Sequence, residues 1–472
     1  MATELDQAEQ DVKGHSVALR KELGLRDLVL TQIVFVVGTA WVGTAAKLGQ
    51  SHVVFWLLAI LLFYVPQAAV VIYLNRQMPL EGGLYQWTKM GFNELAGFMT
   101  AWNLWLLGIA VMALSGLVVT TNISYAIGSS ASWMQESKWL ISVISVLLVA
   151  GLALVAVRGL SLGKWIHNAG GIIMLICYGA LVVLPFISLA RGELKEFHPL
   201  RIVAPTLSLF SVNIFSKLAI GGLSGFEYVA ILAGETRAPG RNIGRSVIVA
   251  APIIALMFIL GSSSVLAYVG DSNIDLIGPV PQTLSIGFRS FGIGGMVVSL
   301  AILLMAGRAI ALMGIYLAGS SRLPMVAGWD HLLPAWFTRL HRRHKTPANS
   351  ILFVGAITLA FSLASLIGVG SQEAFQLIDN AATVFYGVAY LFMFAIPLVG
   401  AIEIRRNAPA WLRVAAISGL GVTLLGILFT VFPIVDVQSR FLFAVKIIAL
   451  TLIANGIGAA IFVAAERRRR TH

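Results

Sequence analysis

Apolar runs of roughly twenty residues recur along the whole chain, and each is long enough to cross the hydrocarbon core of a bilayer. About twelve such runs are predicted, centred near Val36, Leu62, Ile109, Leu148, Leu175, Leu218, Leu256, Leu303, Thr358, Phe385, Leu424 and Leu450. None alternates apolar and polar residues as a barrel strand does, so the pattern predicts an all-α membrane bundle. Two runs are broken by glycine. One break is Val36-Val37-Gly38-Thr39-Ala40-Trp41-Val42-Gly43, in the first run; the other is Ile220-Gly221-Gly222-Leu223-Ser224-Gly225-Phe226-Glu227, in the sixth. Unwound backbone carries free N–H and C=O groups that lipid cannot satisfy, so it persists only where it lines a polar cavity. Breaks at matching places in two halves point to a small-ligand site near the bilayer midplane.

Composition agrees: 472 residues, 58% hydrophobic and only 11% charged. The net charge of +12 does not indicate nucleic acid, because the basic residues are sorted by loop. With the N-terminus inside, about twenty-three Lys and Arg fall on the inner side and about eight on the outer. The inner loops carry Arg237, Arg241 and Arg245; Arg339, Arg342, Arg343 and Lys345; Arg405 and Arg406; and Arg467 to Arg470. This predicts cytoplasmic termini, with the basic excess serving topology and contact with membrane lipid. The polar first twenty-six residues do not read as a cleavable signal peptide. The single cysteine, Cys177, excludes an intrachain disulfide. The Gly- and Pro-rich stretch from Asp271 to Arg289 reads as an outer lid.

Four ionisable residues fall inside spans: Lys217, Glu227, Arg308 and Asp379. A charge at mid-membrane is costly and is normally paired or turned to water. Lys217 precedes Gly221 by one helical turn and shares its face, so it either reaches the site or snorkels outward. Arg308 and Asp379 are expected to pair, as a structural ion pair or in coupling. Glu227 is the candidate for proton binding or gating. His167 reads as a satisfied interhelical histidine. There is no zinc-binding HExxH, Walker loop or Ser-His-Asp pattern, so no enzyme, metal or cofactor is expected.

Three further stretches carry a resemblance. They are Pro79-Leu80-Glu81-Gly82-Gly83-Leu84-Tyr85 with Gly97-Phe98 and Ala101-Trp102-Asn103-Leu104-Trp105; Ser224-Gly225-Phe226-Glu227 with Gly234-Glu235-Thr236-Arg237-Ala238-Pro239-Gly240-Arg241-Asn242-Ile243; and Ser321-Arg322-Leu323 with Asp330-His331-Leu332-Leu333-Pro334-Ala335-Trp336-Phe337 and Thr346-Pro347-Ala348-Asn349. In this order and spacing the chain resembles the amino acid–polyamine–organocation permeases, from about Leu25 to Arg467. The resemblance implies a LeuT-type fold: five helices, an inverted copy of five, then two more. The expected organisation is a cytoplasmic segment 1–26, a core 27–400 made of repeats at about 27–190 and 206–400, two added helices in 411–465, and a basic tail 466–472.

It also implies a substrate site. The carboxylate of an amino acid would meet the N–H groups of Gly38-Thr39-Ala40, bordered by Val36 and Trp41. The amine would meet carbonyls near Gly221 and Ser224, and Trp102 is expected to line the pocket or pack closely beside it. The departures matter as much. Ala40 stands where the family usually has glycine. Gly221 stands where many members have an aromatic gate, so the pocket should accept a bulkier side chain unless Trp41 or Trp102 fills the room. The lysine that replaces sodium in many relatives would fall near Met174, and Lys164 is too early. A glutamate usual near the end of the second helix is replaced at about Tyr73.

The expected function is secondary transport of an amino acid or close derivative by alternating access, as proton symport or exchange. The rival is a non-transporting sensor on the same fold. The expected setting is a bacterial inner membrane, with the chain as monomer or homodimer and no nucleic-acid partner.

Overall fold

In a computed structural model the described residues are 4–270, 273–289, 295–365, 370–434, 437 and 439–471. Among them the regular secondary structure is helical, with a lone backbone bridge between Leu23 and Thr236. The helices are α1 (Glu4–Ser16), α2 (Leu25–Val36), α3 (Thr39–Ala46), α4 (Gly49–Gln77), α5 (Leu84–Gly91), α6 (Glu94–Ile127), α7 (Lys138–Arg158), α8 (Leu160–Ala190), α9 (Leu209–Gly222), α10 (Pro239–Tyr268), α11 (Pro279–Arg289), α12 (Gly295–Trp329), α13 (Ala348–Ser365), α14 (Ser371–Val399), α15 (Ala410–Phe429) and α16 (Arg440–Thr471). Nine described helices are long and apolar enough to cross a membrane, and α2 with α3 forms a tenth, bent by 44°. Two shorter apolar helices, α9 and the body of α13, complete the set. Helix α9 is short because it ends in a π-type turn at Leu218–Gly222, and the chain resumes as a 3-10 segment at Tyr228–Glu235.

The centre is built from α2, α3, α6, α9, α12 and α14. Helix α6 packs along α12 and α14, while α8 packs along α12 and α2. The outer helices α7 and α16 keep Trp139, Leu147 and Leu452 exposed, as lipid-facing surfaces require. The expected lid stretch forms α11 and the turn before it, with Asp271 outside the described residues. It is tied down at Asp275, which accepts from Tyr125 Oη at 2.8 Å and Gln372 Nε2 at 3.1 Å. Pro279 at the start of α11 sits against Gly43, where an added Cβ would fall 2.6 Å away.

The motif loop Pro79–Gly83 lies against the 3-10 segment. Gly82 N–H donates to Ile231 O at 3.1 Å. Gly83 has φ +46°, and a Cβ there would lie 2.7 Å from the Ala230 carbonyl carbon. Both the backbone angle and the contact exclude a side chain. Gly83→Ala is therefore expected to destabilise the folded protein by about 1–3 kcal/mol, read as a lower unfolding midpoint in detergent.

Candidate functional site

The first break arises because Val37 (φ −75°, ψ 87°) and Gly38 (φ −80°, ψ 127°) leave helical geometry between α2 and α3. Gly38 N–H turns back to Val36 O at 2.8 Å. Thr39 and Ala40 open α3, so their N–H groups have no intrahelical acceptor and point back toward the break. Gly38 is required by space: a Cβ there would lie 2.5 Å from the Trp41 ring.

The second break is satisfied by protein groups. Gly225 has φ +137°, and a Cβ would lie 2.6 Å from Phe35. The Gln67 amide of α4 bridges the turn. Its nitrogen donates to Leu223 O at 2.8 Å, and its oxygen accepts from Gly225 N–H at 2.9 Å and Phe226 N–H at 3.1 Å. Glu227 follows, fully buried; its carboxylate accepts from Tyr386 Oη at 2.5 Å and from Tyr390 Oη, both on α14.

The two breaks face each other across a cavity of about 130 Å³. Val36, Gly38, Thr39, Ala40, Trp41, Gly221 and Ser224 all line it, together with Arg308, Asp379, Tyr316 and Tyr386. Its far side is the α6 face of Leu107, Val111 and Ser115, and Ile277 of the lid stretch also reaches it. Toward the end where α2 begins, three aromatic rings lie together, two of which, Phe35 and Tyr316, line the cavity. Phe35 stacks on Tyr228 (centroids 4.2 Å apart), and Tyr316 lies 4.7 Å from Phe35. Ser224 Oγ is buried without a hydrogen-bond partner among the described residues.

The remaining expected site residues are placed as follows. Trp102 does not reach this cavity. Its indole donates to Ala454 O of α16 at 2.9 Å, and it lines a separate apolar cavity of about 280 Å³ with Phe98, Trp105 and Phe337. Of the two alternatives at Gly221, an open pocket or one filled by a tryptophan, the structure has Trp41 in the room; a Cβ at Gly221 would lie 2.2 Å from its ring. Arg308 and Asp379 share the cavity but form no ion pair among the described residues. Arg308 Nη1 donates instead to Val37 O at 3.4 Å, a carbonyl that the break has left without an α-helical partner. Lys217 does not line the cavity; it donates to Phe432 O at 2.7 Å and is the charged neighbour of Asp379.

The motif stretches gather at the end where α2 begins. Arg322 donates to Glu235 through Nε (2.9 Å) and Nη2 (3.0 Å), all buried. Glu81 accepts from Gly234 N–H at 2.5 Å. Lys89 pairs with Asp330 at 2.6 Å. His167 is buried with its ring beside Gly314 of α12. Lys164 pairs with Glu22 at 3.2 Å, Met174 is buried, and Tyr73 donates to Ile404 O at 2.5 Å. The sequence reading missed Gln67, Tyr316, Tyr386 and Tyr390. Tyr386 and Tyr390 stand one and two helical turns beyond Ala382 on the cavity side of α14, a spacing that carries them toward Glu227.

Comparison with known proteins gives a consistent picture. The model of a family described as amino acid permease matches residues 25–462. An uncharacterised transporter of Legionella pneumophila, lpg1691, is 24% identical, covering 85% of this chain and 84% of its own. The branched-chain amino acid permease BcaP of Bacillus subtilis is 23% identical, with 78% and 81% covered. The crystal structure of MhsT in complex with L-phenylalanine superposes with a TM-score of 0.62 at 14% identity, covering 89% of this chain and 98% of that one.

The Trp41–Gly221 contact is directly testable. Gly221→Phe alone is expected to abolish ligand binding, because two rings cannot share the space. Adding Trp41→Ala should restore part of it. Binding by Gly221→Phe that equals wild type, measured by ligand-induced thermal stabilisation, would contradict this packing.

Proposed function

Because the chain belongs to the amino acid permease family and adopts the fold of the LeuT-type transporter MhsT, we propose that it moves an amino acid or close derivative by alternating access. One observation carries the reading. Two helix breaks face one cavity, and the first offers unpaired N–H groups at a helix N-terminus, which favour a carboxylate. The substrate amine would turn to the other break, near Gly221 and Ser224. BcaP, a branched-chain amino acid permease by name, supports an amino acid over other small molecules.

The distribution of Lys and Arg favours cytoplasmic termini in a bacterial inner membrane. The end holding Glu235, Arg322 and the ring stack is then the cytoplasmic end, and this conformation is closed inward. Opening to the cytoplasm would require parting Phe35, Tyr228 and Tyr316 and the Arg322–Glu235 contact.

Coupling is assigned to protons or exchange, with no sodium requirement. Arg308 supports this, since its fixed guanidinium already serves the Val37 carbonyl at the break. Glu227 is the candidate proton carrier. An ionised carboxylate only accepts hydrogen bonds, so it can hold both tyrosine hydroxyls; protonation converts one oxygen to a donor and loosens the tie to α14. Asp379 is the second candidate.

The test is uptake into proteoliposomes under imposed gradients. A proton gradient should drive accumulation in the wild type, and Glu227→Gln should lose that drive while keeping counterflow. Uptake that follows sodium and ignores pH would contradict the assignment. Ligand binding without flux under any gradient would point to a sensor.

A further inference from the structure

We propose that the cavity selects an amino acid carrying a second carboxylate, a compact acidic amino acid of the aspartate or glutamate kind. The proposal rests on the substrate-site reading above and extends it to the side chain. It starts from Arg308, whose guanidinium keeps donors free at the cavity. Arg308 is 4% exposed and lines the cavity. Its guanidinium is permanently cationic with five N–H donors. One donor reaches Val37 O, and Nε has no partner among the described residues. Its near neighbours on α8 are Cys177 and Tyr178, neither of them a carboxylate. No described carboxylate lies within ion-pair distance of it.

The other interior charges are placed differently. Glu227 is engaged by Tyr386 and Tyr390. Asp379 lines the same cavity and forms an ion pair with neither Arg308 nor Lys217 among the described residues; Lys217 Nζ donates to Phe432 O at 2.7 Å. Guanidinium donors buried without acceptors are unfavourable, and an arriving carboxylate satisfies them. The cavity therefore holds two separate anion readers: the N–H groups of Thr39 and Ala40, and the Arg308 fork. A neutral amino acid supplies one carboxylate and leaves the other reader unmet. An acidic one supplies both, with its ammonium free to face the second break. Size agrees, because about 130 Å³ is close to the roughly 150 Å³ that admits a benzene-sized ligand. Trp41 already fills the room at Gly221, so the side chain must be short.

The experiment compares near-isosteres that differ in charge. Equilibrium binding of L-aspartate against L-asparagine, and of L-glutamate against L-glutamine, is measured on the purified full-length protein. The better acid should bind at least roughly tenfold tighter than its amide, the size expected for a charged hydrogen-bonded contact. Arg308→Gln should bring the acid down to the amide's affinity while the amide still binds. Arg308→Lys, which keeps the charge but loses the fork, should fall between them. Amides that bind as well as the acids in the wild type, or acids that do not bind at all, would overturn the proposal, whatever the stability of the variants. Gly38→Val separates this from failure of the site itself. If the variant binds every ligand like the wild type, the site reading falls. If it abolishes binding of amides that the wild type prefers, the site stands and the acidic preference falls.

Discussion

Every backbone N–H and C=O inside a bilayer must find a partner, and this constraint organises the molecule. Continuous helices meet it by themselves. The two breaks do not, and they meet it differently. The second is stitched by the chain's own groups: Gln67 reaches Leu223, Gly225 and Phe226 across the turn. The first is left open on its donor side, with Thr39 and Ala40 presenting N–H groups to the cavity, while its acceptor side at Val37 is taken by Arg308. That asymmetry separates a frame from a binding surface. A turn already satisfied has no donors to spare, whereas one with free N–H groups offers them to whatever enters the cavity.

The buried charges follow the same division. Arg322, Glu235 and Glu81 form a dense polar layer at the end where α2 begins, one that joins the Pro79–Gly83 loop, the 3-10 segment and α12. Breaking one partner of such a layer leaves an uncompensated charge, so its members separate only together. Glu227, Arg308 and Asp379 stand deeper, at the cavity. The stacked rings of Phe35, Tyr228 and Tyr316 lie between the two layers. Under the alternating access proposed above, opening that end would part those rings together with the polar layer.

The apolar runs and the glycine breaks were legible in the sequence, because both follow from local rules: length for crossing, and glycine where a side chain cannot fit. Gly38, Gly221 and Gly225 all prove to be close-contact positions. Directions of side chains were less legible. The cavity face of α6 is Leu107, Val111 and Ser115, and Trp102 stands five residues before Leu107, about 140° around the helix at 100° per residue. It therefore meets α16, a partner hundreds of residues away. Pairing of interior charges was least legible. Arg308 and Asp379 are expected to pair from the sequence, but a carbonyl freed by the break competes for the guanidinium, and only the folded chain brings it within reach. The room at Gly221 was foreseen as open or filled; Trp41, three residues beyond Gly38, fills it.

The central claim is that the open donors of the first break are where the substrate carboxylate sits. The direct measurement is a structure of the protein saturated with an amino acid that stabilises it against heat. The account predicts ligand density between the two breaks, with a carboxylate about 3 Å from the N–H groups of Thr39 and Ala40. A ligand seated instead in the apolar cavity of Phe98, Trp102 and Trp105, with those N–H groups still unoccupied, would contradict it.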